Sequence, residues 1–207
     1  MRLFAALLAC ASFFLSPGAL AQQMAPDALV KSVTDEVLDI IRKDKDIKAG
    51  STRRAIELVE QKVLPHFNFT RMTALAVGKD WRQATPEQQK VLTEEFRDLL
   101  VRTYSNALTA YKNETVDYRP FKMQPGETDV TVRTQIHQSG ARQPIKLDYS
   151  LERNGNAWKV YDVVVADVSL VTNYRSSFAT EIRNGGIDGL VKTLKAKNSS
   201  LEAANRK

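Results

Sequence analysis

The sequence predicts an α+β fold: a four-stranded, curved antiparallel sheet with helices packed on one face. Three observations carry that prediction. From about residue 26 to 111, apolar side chains recur at spacings of three and four, the period of an amphipathic helix. From about residue 115 the period drops to two, and the turn dipeptides Ser139-Gly140 and Asn154-Gly155 divide the segment into strands. After Val168 the helical period returns.

The elements follow in order. Leu29, Val33, Val37, Ile40 and Ile41 predict a helix over 26–44. Ser51 precedes a second helix carrying Ile56, Val59, Val63 and Leu64, stopped near Pro65. A third runs from about Asn68 to Val77 and is ended by Gly78. Thr85, Pro86 and Gln88 then make a capping box with proline in the first helical position. From that start the spacing predicts one helix reaching Tyr111, a rod of about 39 Å. Its stripe is formed by Leu92, Phe96, Leu99, Leu100, Tyr104 and Leu108.

Val116 and Tyr118 mark the first strand, Val130 to Ile136 the second, Ile145 to Leu151 the third and Trp158 to Val168 the fourth. Alternation fails in Tyr161-Asp162-Val163-Val164-Val165, which predicts a bulge there. Ser169 caps a helix bearing Leu170, Val171, Tyr174, Phe178 and Ile182, ended by Gly185-Gly186. A last helix carries Ile187, Leu190, Val191 and Leu194, and the tail from Lys195 to Lys207 is expected to fray.

The N-terminal MRLFAALLACASFFLSPGALA has one arginine, an apolar run and a small-residue Ala-Leu-Ala ending, the pattern of a secretory signal peptide over residues 1–21. Cys10 sits too near Met1 for a lipoprotein signal, so the expected product is soluble and unlipidated. Cleavage would remove that sole cysteine and one of the 30 basic residues, leaving a basic chain without disulfides. Such a chain is held by its hydrophobic core, which residues 22–207 are long enough to form as one domain. Its helical half would span about 26–111, and its sheet with the C-terminal helices about 115–197. Export without cysteines suggests a Gram-negative periplasm, where nucleic acid is not an expected partner.

Catalytic patterns are not found. His66 and His137 are the only histidines, neither in a metal-ligand spacing. His137 alternates away from Val132 and Ile136 and so faces solvent, whereas His66 at a helix end reads as a packing or capping residue. Ser169 has no nucleophile elbow around it, and Gly185-Gly186-Ile187-Asp188-Gly189 lacks the Lys-Ser/Thr of a phosphate loop. The expectation is a non-enzyme without cofactor or metal. What remains is apolar surface, which either fills itself or encloses a cavity.

Several blocks, in order, resemble the MlaC family of periplasmic phospholipid-binding proteins, also called toluene-tolerance auxiliary proteins. They include Val63-Leu64-Pro65-His66-Phe67 with Leu75-Ala76-Val77-Gly78, and Trp81 through Gln89 followed by Phe96, Leu99-Leu100, Tyr104, Ala107-Leu108 and Tyr111. Pro144 to Tyr149, Trp158 to Val163, Val168 to Val171 with Asn173-Tyr174-Arg175, and Gly186 to Leu190 continue the match. Ala166-Asp167 departs from it, where many relatives carry Glu-Gly.

The resemblance implies an apolar lipid pocket between sheet and long helix. It also implies a shuttle carrying glycerophospholipid between an outer-membrane lipoprotein–porin complex and an inner-membrane ABC transporter with an MCE-domain ring, which maintains outer-membrane lipid asymmetry. The expected tail contacts are Phe96, Leu100, Tyr104 and Leu108 from the long helix. Val132, Ile136, Ile145, Leu147, Tyr149 and Leu151 join them from the sheet, with Leu170, Tyr174 and Phe178 closing one end. Arg175 is expected at the mouth, and Arg71, Arg82 and Arg142 at partner surfaces. The alternative reading is a binding module for a non-lipid small molecule, or an envelope adaptor.

Overall fold

The computed structural model describes residues 24–138 and 140–205; the expected signal segment with Cys10, and Ser139 of the first turn, lie outside them. Helix α1 spans Pro26–Lys43, and a single turn, α2, spans Lys45–Lys48. Asp44 initiates that turn by accepting the N–H groups of Asp46 and Ile47, each at 3.0 Å. Helices α3 (Thr52–Lys62) and α4 (Phe69–Val77) follow, Ser51 capping the first as the sequence indicates and Asn68, expected as the start of the second, capping it from outside. Gly78 ends α4 with φ 71°, a conformation that favours glycine.

The predicted rod is shorter than its apolar stripe. The capping box forms, but α5 covers only Pro86–Tyr104, and α6, a separate turn, covers Asn106–Thr109. Beyond Ser105 the bonding tightens, with Leu108 N–H donating to Ser105 O at 3.0 Å. The Asn106 carboxamide oxygen is drawn aside to accept from the Thr52 hydroxyl at 3.1 Å. Leu108 and Tyr111 therefore leave the α5 stripe and pack with Val37, Ile41, Ile47 and Leu58.

The sheet is antiparallel with five strands in sequential order: β1 Thr115–Tyr118, β2 Asp129–His137, β3 Ile145–Asn154, β4 Ala157–Val165 and β5 Val168–Ser169. The four-strand expectation is corrected at Ala166-Asp167, whose φ values of 48° and 68° reverse the chain so that Val168 pairs back onto Val165. The bulge falls inside the predicted run: Ser150 opposes Asp162 and Leu151 opposes Val160, leaving Tyr161 as the extra residue.

Helices do not all share one face. Val30 of α1 packs with Val130, Val132, Leu151 and Trp158 on the inward face. Helices α4, α5 and α7 (Leu170–Asn205) instead build a second core around Phe96, and Tyr161 packs there, while its neighbour Val160 packs on the inward face. The Asp162 carboxylate anchors the start of α7, accepting from Ser169 Oγ at 2.6 Å and from Val171 N–H at 3.2 Å. Ser169 Oγ in turn accepts from Thr172 N–H at 3.0 Å, as expected of a cap. The span called α7 is two helices broken at Gly186 (φ 68°, ψ −169°), at the stop the sequence predicts, and the second continues to Asn205 instead of fraying from Lys195. Asn198 ties it down by donating to the backbone oxygen of Glu95 at 2.9 Å and to its carboxylate at 2.7 Å.

Candidate functional site

The inward sheet face follows from register. Val116, Ile136, Ile145 and Leu147 stand beside one another across β1 to β3 because Val116 pairs with Ile136 and Ile136 with Ile145. Tyr149, Val160 and Val165 continue this surface, and α1 lies across it with Leu29, Val33 and Val37 facing down. Between helix and sheet is a cavity of about 480 Å³, lined almost wholly by hydrocarbon. That is within the range of about 300–1,000 Å³ usual for small-ligand sites. Ile41, Val63, Leu108 and Tyr111, packed in one cluster, line it together, and the 3-10 turn Leu64–His66 contributes His66.

Five residues expected at a lipid are on this wall: Leu108, Ile136, Ile145, Leu147 and Tyr149. The others are elsewhere. Val132 and Leu151 are buried farther along the same sheet face, beneath Val30, and Leu170 packs at the edge of that cluster. Phe96, Tyr174 and Phe178 meet one another, with the Phe96 ring 5.1 Å from each of the other two. Leu100 belongs to the same core, and Tyr104 is 41% exposed. The reason is that α7 lies against α5 and fills its stripe, so the slot expected between sheet and long helix is between sheet and first helix.

Arg175 does not reach the cavity. Its Nε and Nη2 donate to the Leu75 carbonyl oxygen at 3.1 and 2.8 Å, capping the end of α4. Arg71, expected at a partner surface, bridges Asp129 at 2.7 Å and Glu152 at 2.5 Å while its guanidinium stacks 3.5 Å from the Tyr161 ring centre. Arg82 and Arg142 are exposed. The α1 wall residues were visible in sequence as an apolar stripe, but a helical period does not say which surface the stripe meets.

Polar side chains on the wall are few: Thr34, His66, Tyr111, Glu114, Gln138 and Tyr149. Burial pushes the Tyr149 phenol up to about 12, and Thr34 of α1 hydrogen-bonds it. Burial also lowers the pKa of His66, with the Lys159 charge acting in the same direction, so the imidazole is neutral at pH 7. His137 faces away and sits 2.9 Å from Asp117. Among the described residues no three His, Cys, Asp or Glu side chains are grouped to hold a metal, and no helix is long and apolar enough to cross a membrane. The cavity suits a hydrocarbon guest with its polar part at a border.

Residues 31–196 match the family model described as MlaC protein. The chain is 27% identical over 164 residues to the toluene tolerance protein ttg2D of Pseudomonas putida, covering 79% of this chain and 75% of that protein. It is 25% identical over 183 residues to the intermembrane phospholipid transport system binding protein MlaC of Haemophilus influenzae, covering 87% and 85%. Among solved structures, a phospholipid-binding protein from Ralstonia solanacearum, in complex with a phospholipid, is 41% identical with a TM-score of 0.79. That match covers 85% of this chain and 98% of the other.

Proposed function

The chain belongs to the MlaC protein family, and from that premise we propose that it is a periplasmic phospholipid carrier. In this reading residues 1–21 direct export and are removed, and residues 22–207 form one lipid-binding domain. The carrier moves a glycerophospholipid between an outer-membrane lipoprotein–porin complex and the MCE-domain ring of an inner-membrane ABC transporter, and so sustains outer-membrane lipid asymmetry. Exposed Arg82 and Arg142 serve encounter with those partners, because surface charge mainly steers association.

The observation that carries the reading is the hydrocarbon-lined space between α1 and the sheet. Each methylene kept from water is worth about 0.8 kcal/mol, so two acyl chains would cost on the order of 20 kcal/mol to expose. A carrier must cover the tails while leaving the charged head near water. The phospholipid held by the Ralstonia solanacearum relative supports the same cargo here. Leu108, Ile136, Ile145, Leu147 and Tyr149, joined by Val33 and Val37, are the proposed tail contacts. Native mass spectrometry of the purified protein should show an added phospholipid mass that organic extraction releases. A protein that stays empty and takes up no lipid from vesicles overturns the proposal, and extraction of a different solute favours the non-lipid module.

A further inference from the structure

The exposed wall residues Ala107, Ala110 and Gln138 mark where the cavity opens. At this edge Arg42, in the last turn of α1, follows directly on the wall residue Ile41. Its Nε donates to the Tyr111 phenol oxygen at 3.0 Å, and its Nη1 lies 3.4 Å from Asp39 Oδ1. The guanidinium carbon is 5.8 Å from the centre of the Tyr111 ring. Tyr111 lines the cavity and spends its own proton on the Glu114 backbone oxygen at 3.2 Å. A phenol that receives from Arg42 and donates to Glu114 fixes where the guanidinium stands, and these contacts engage two of its five donors.

The acidic wall residue Glu114 is tied to its own loop. Glu114 Oε2 accepts from the backbone N–H groups of Lys112 at 2.7 Å and Asn113 at 3.2 Å. Cations beside His66 are engaged differently: Lys62 pairs with Glu36 at 2.6 Å, and Lys159 donates to the Pro65 carbonyl oxygen.

We infer that Arg42, held by Tyr111, is the head-group residue of this cavity and takes a phosphate-ester anion at the open end while the tails lie between α1 and the sheet. A guanidinium suits this task because its planar fork matches two phosphate oxygens at once. The inference rests on the carrier reading and deepens it. The chemistry recognised is a phosphate oxyanion, whether esterified in a lipid or free, and the lipid source is favoured because the seat adjoins the apolar wall.

The intact protein is incubated with vesicles holding equal dioleoylphosphatidylglycerol and dioleoylglycerol, and the ratio of the two bound species is read by native mass spectrometry. Arg42→Gln should lower the phospholipid-to-diacylglycerol ratio about fivefold. Arg42→Lys should restore part of the loss, and Tyr111→Phe should reproduce a fraction of it. Lys159→Met, a cation at the His66 end, should leave the ratio unchanged. Continued diacylglycerol binding shows that each variant is folded. An unchanged ratio in Arg42→Gln, or a fall confined to Lys159→Met, overturns the assignment. So does saturable binding of inorganic phosphate in ³¹P titration that Arg42→Gln abolishes without altering lipid. Failure of the wild type to take up either lipid is a different result, since it defeats the carrier reading itself.

Discussion

Tyr118 on β1 donates its phenol proton to Asp35 Oδ1 on α1 across 3.1 Å. Asp35 also receives Lys31 at 2.6 Å, and the Lys31 ammonium sits 4.8 Å from the Tyr118 ring centre. These contacts fasten the wall helix to the sheet rim outside the cavity. Tyr118→Phe should therefore cost about 1 kcal/mol, read as a lower midpoint in urea unfolding. An unchanged midpoint would mean that apolar packing alone holds α1.

Alkaline pH tests the buried phenols. Burial first, and neighbouring groups second, push Tyr118, Tyr149 and Tyr174 from 10.0 up to about 12. The folded state thus favours the neutral form of each. Their stabilising contribution is fully present below pH about 10 and is lost as pH rises through about 12. Circular dichroism should show unfolding in that window together with the rise in tyrosinate absorbance. Tyrosinate formation at ordinary pH in a fully folded protein would contradict the burial.

Filling the cavity should separate binding from folding. Val33→Trp projects a large apolar side chain from α1 into the space beside Tyr149 and Leu147. Stability should be kept or raised, while phospholipid retained after purification falls severalfold. Tyr149→Asp should also reduce loading, because a carboxylate on that wall disfavours hydrocarbon. Undiminished lipid in both variants would place the cargo elsewhere.

Phe96→Ala should act in the opposite way. The ring is fully buried between Tyr174 and Phe178, so truncation should cost about 3–5 kcal/mol of stability. The fraction of protein that stays folded should carry as much lipid as wild type. Loss of lipid from folded protein would show that the α5–α7 core reaches the cargo.

Ala166 offers a stabilising change. It holds φ 48° in the two-residue turn before Asp167, where a Cβ is disfavoured. Ala166→Gly should relieve that strain and, after the extra freedom gained by the unfolded chain, raise stability by about 0.5–1 kcal/mol. Thermal melting would register the gain, and a lower melting temperature would contradict the strain.

Local chemistry was readable in the sequence. The capping box at Thr85 and Gln88, the caps Ser51 and Ser169, the stop at Gly78 and the bulge at Tyr161 all depend on residues within a few positions of one another. Strand alternation likewise determined which sheet residues share the inward face, and so brought Ile136, Ile145, Leu147 and Tyr149 together. Which helix stripe meets that face was decided only in three dimensions. The stripes of α1 and α5 have the same period, and burial of hydrocarbon has no directional preference that would assign one to the sheet. Packing of α7 onto α5 occupied the longer stripe, and the break at Ser105 sent Leu108 and Tyr111 to the other side. What was left to line the cavity was α1. For the same reason, an arginine beside a tyrosine in sequence became the cap of α4, while Arg42 and Tyr111, 69 positions apart, met at the opening.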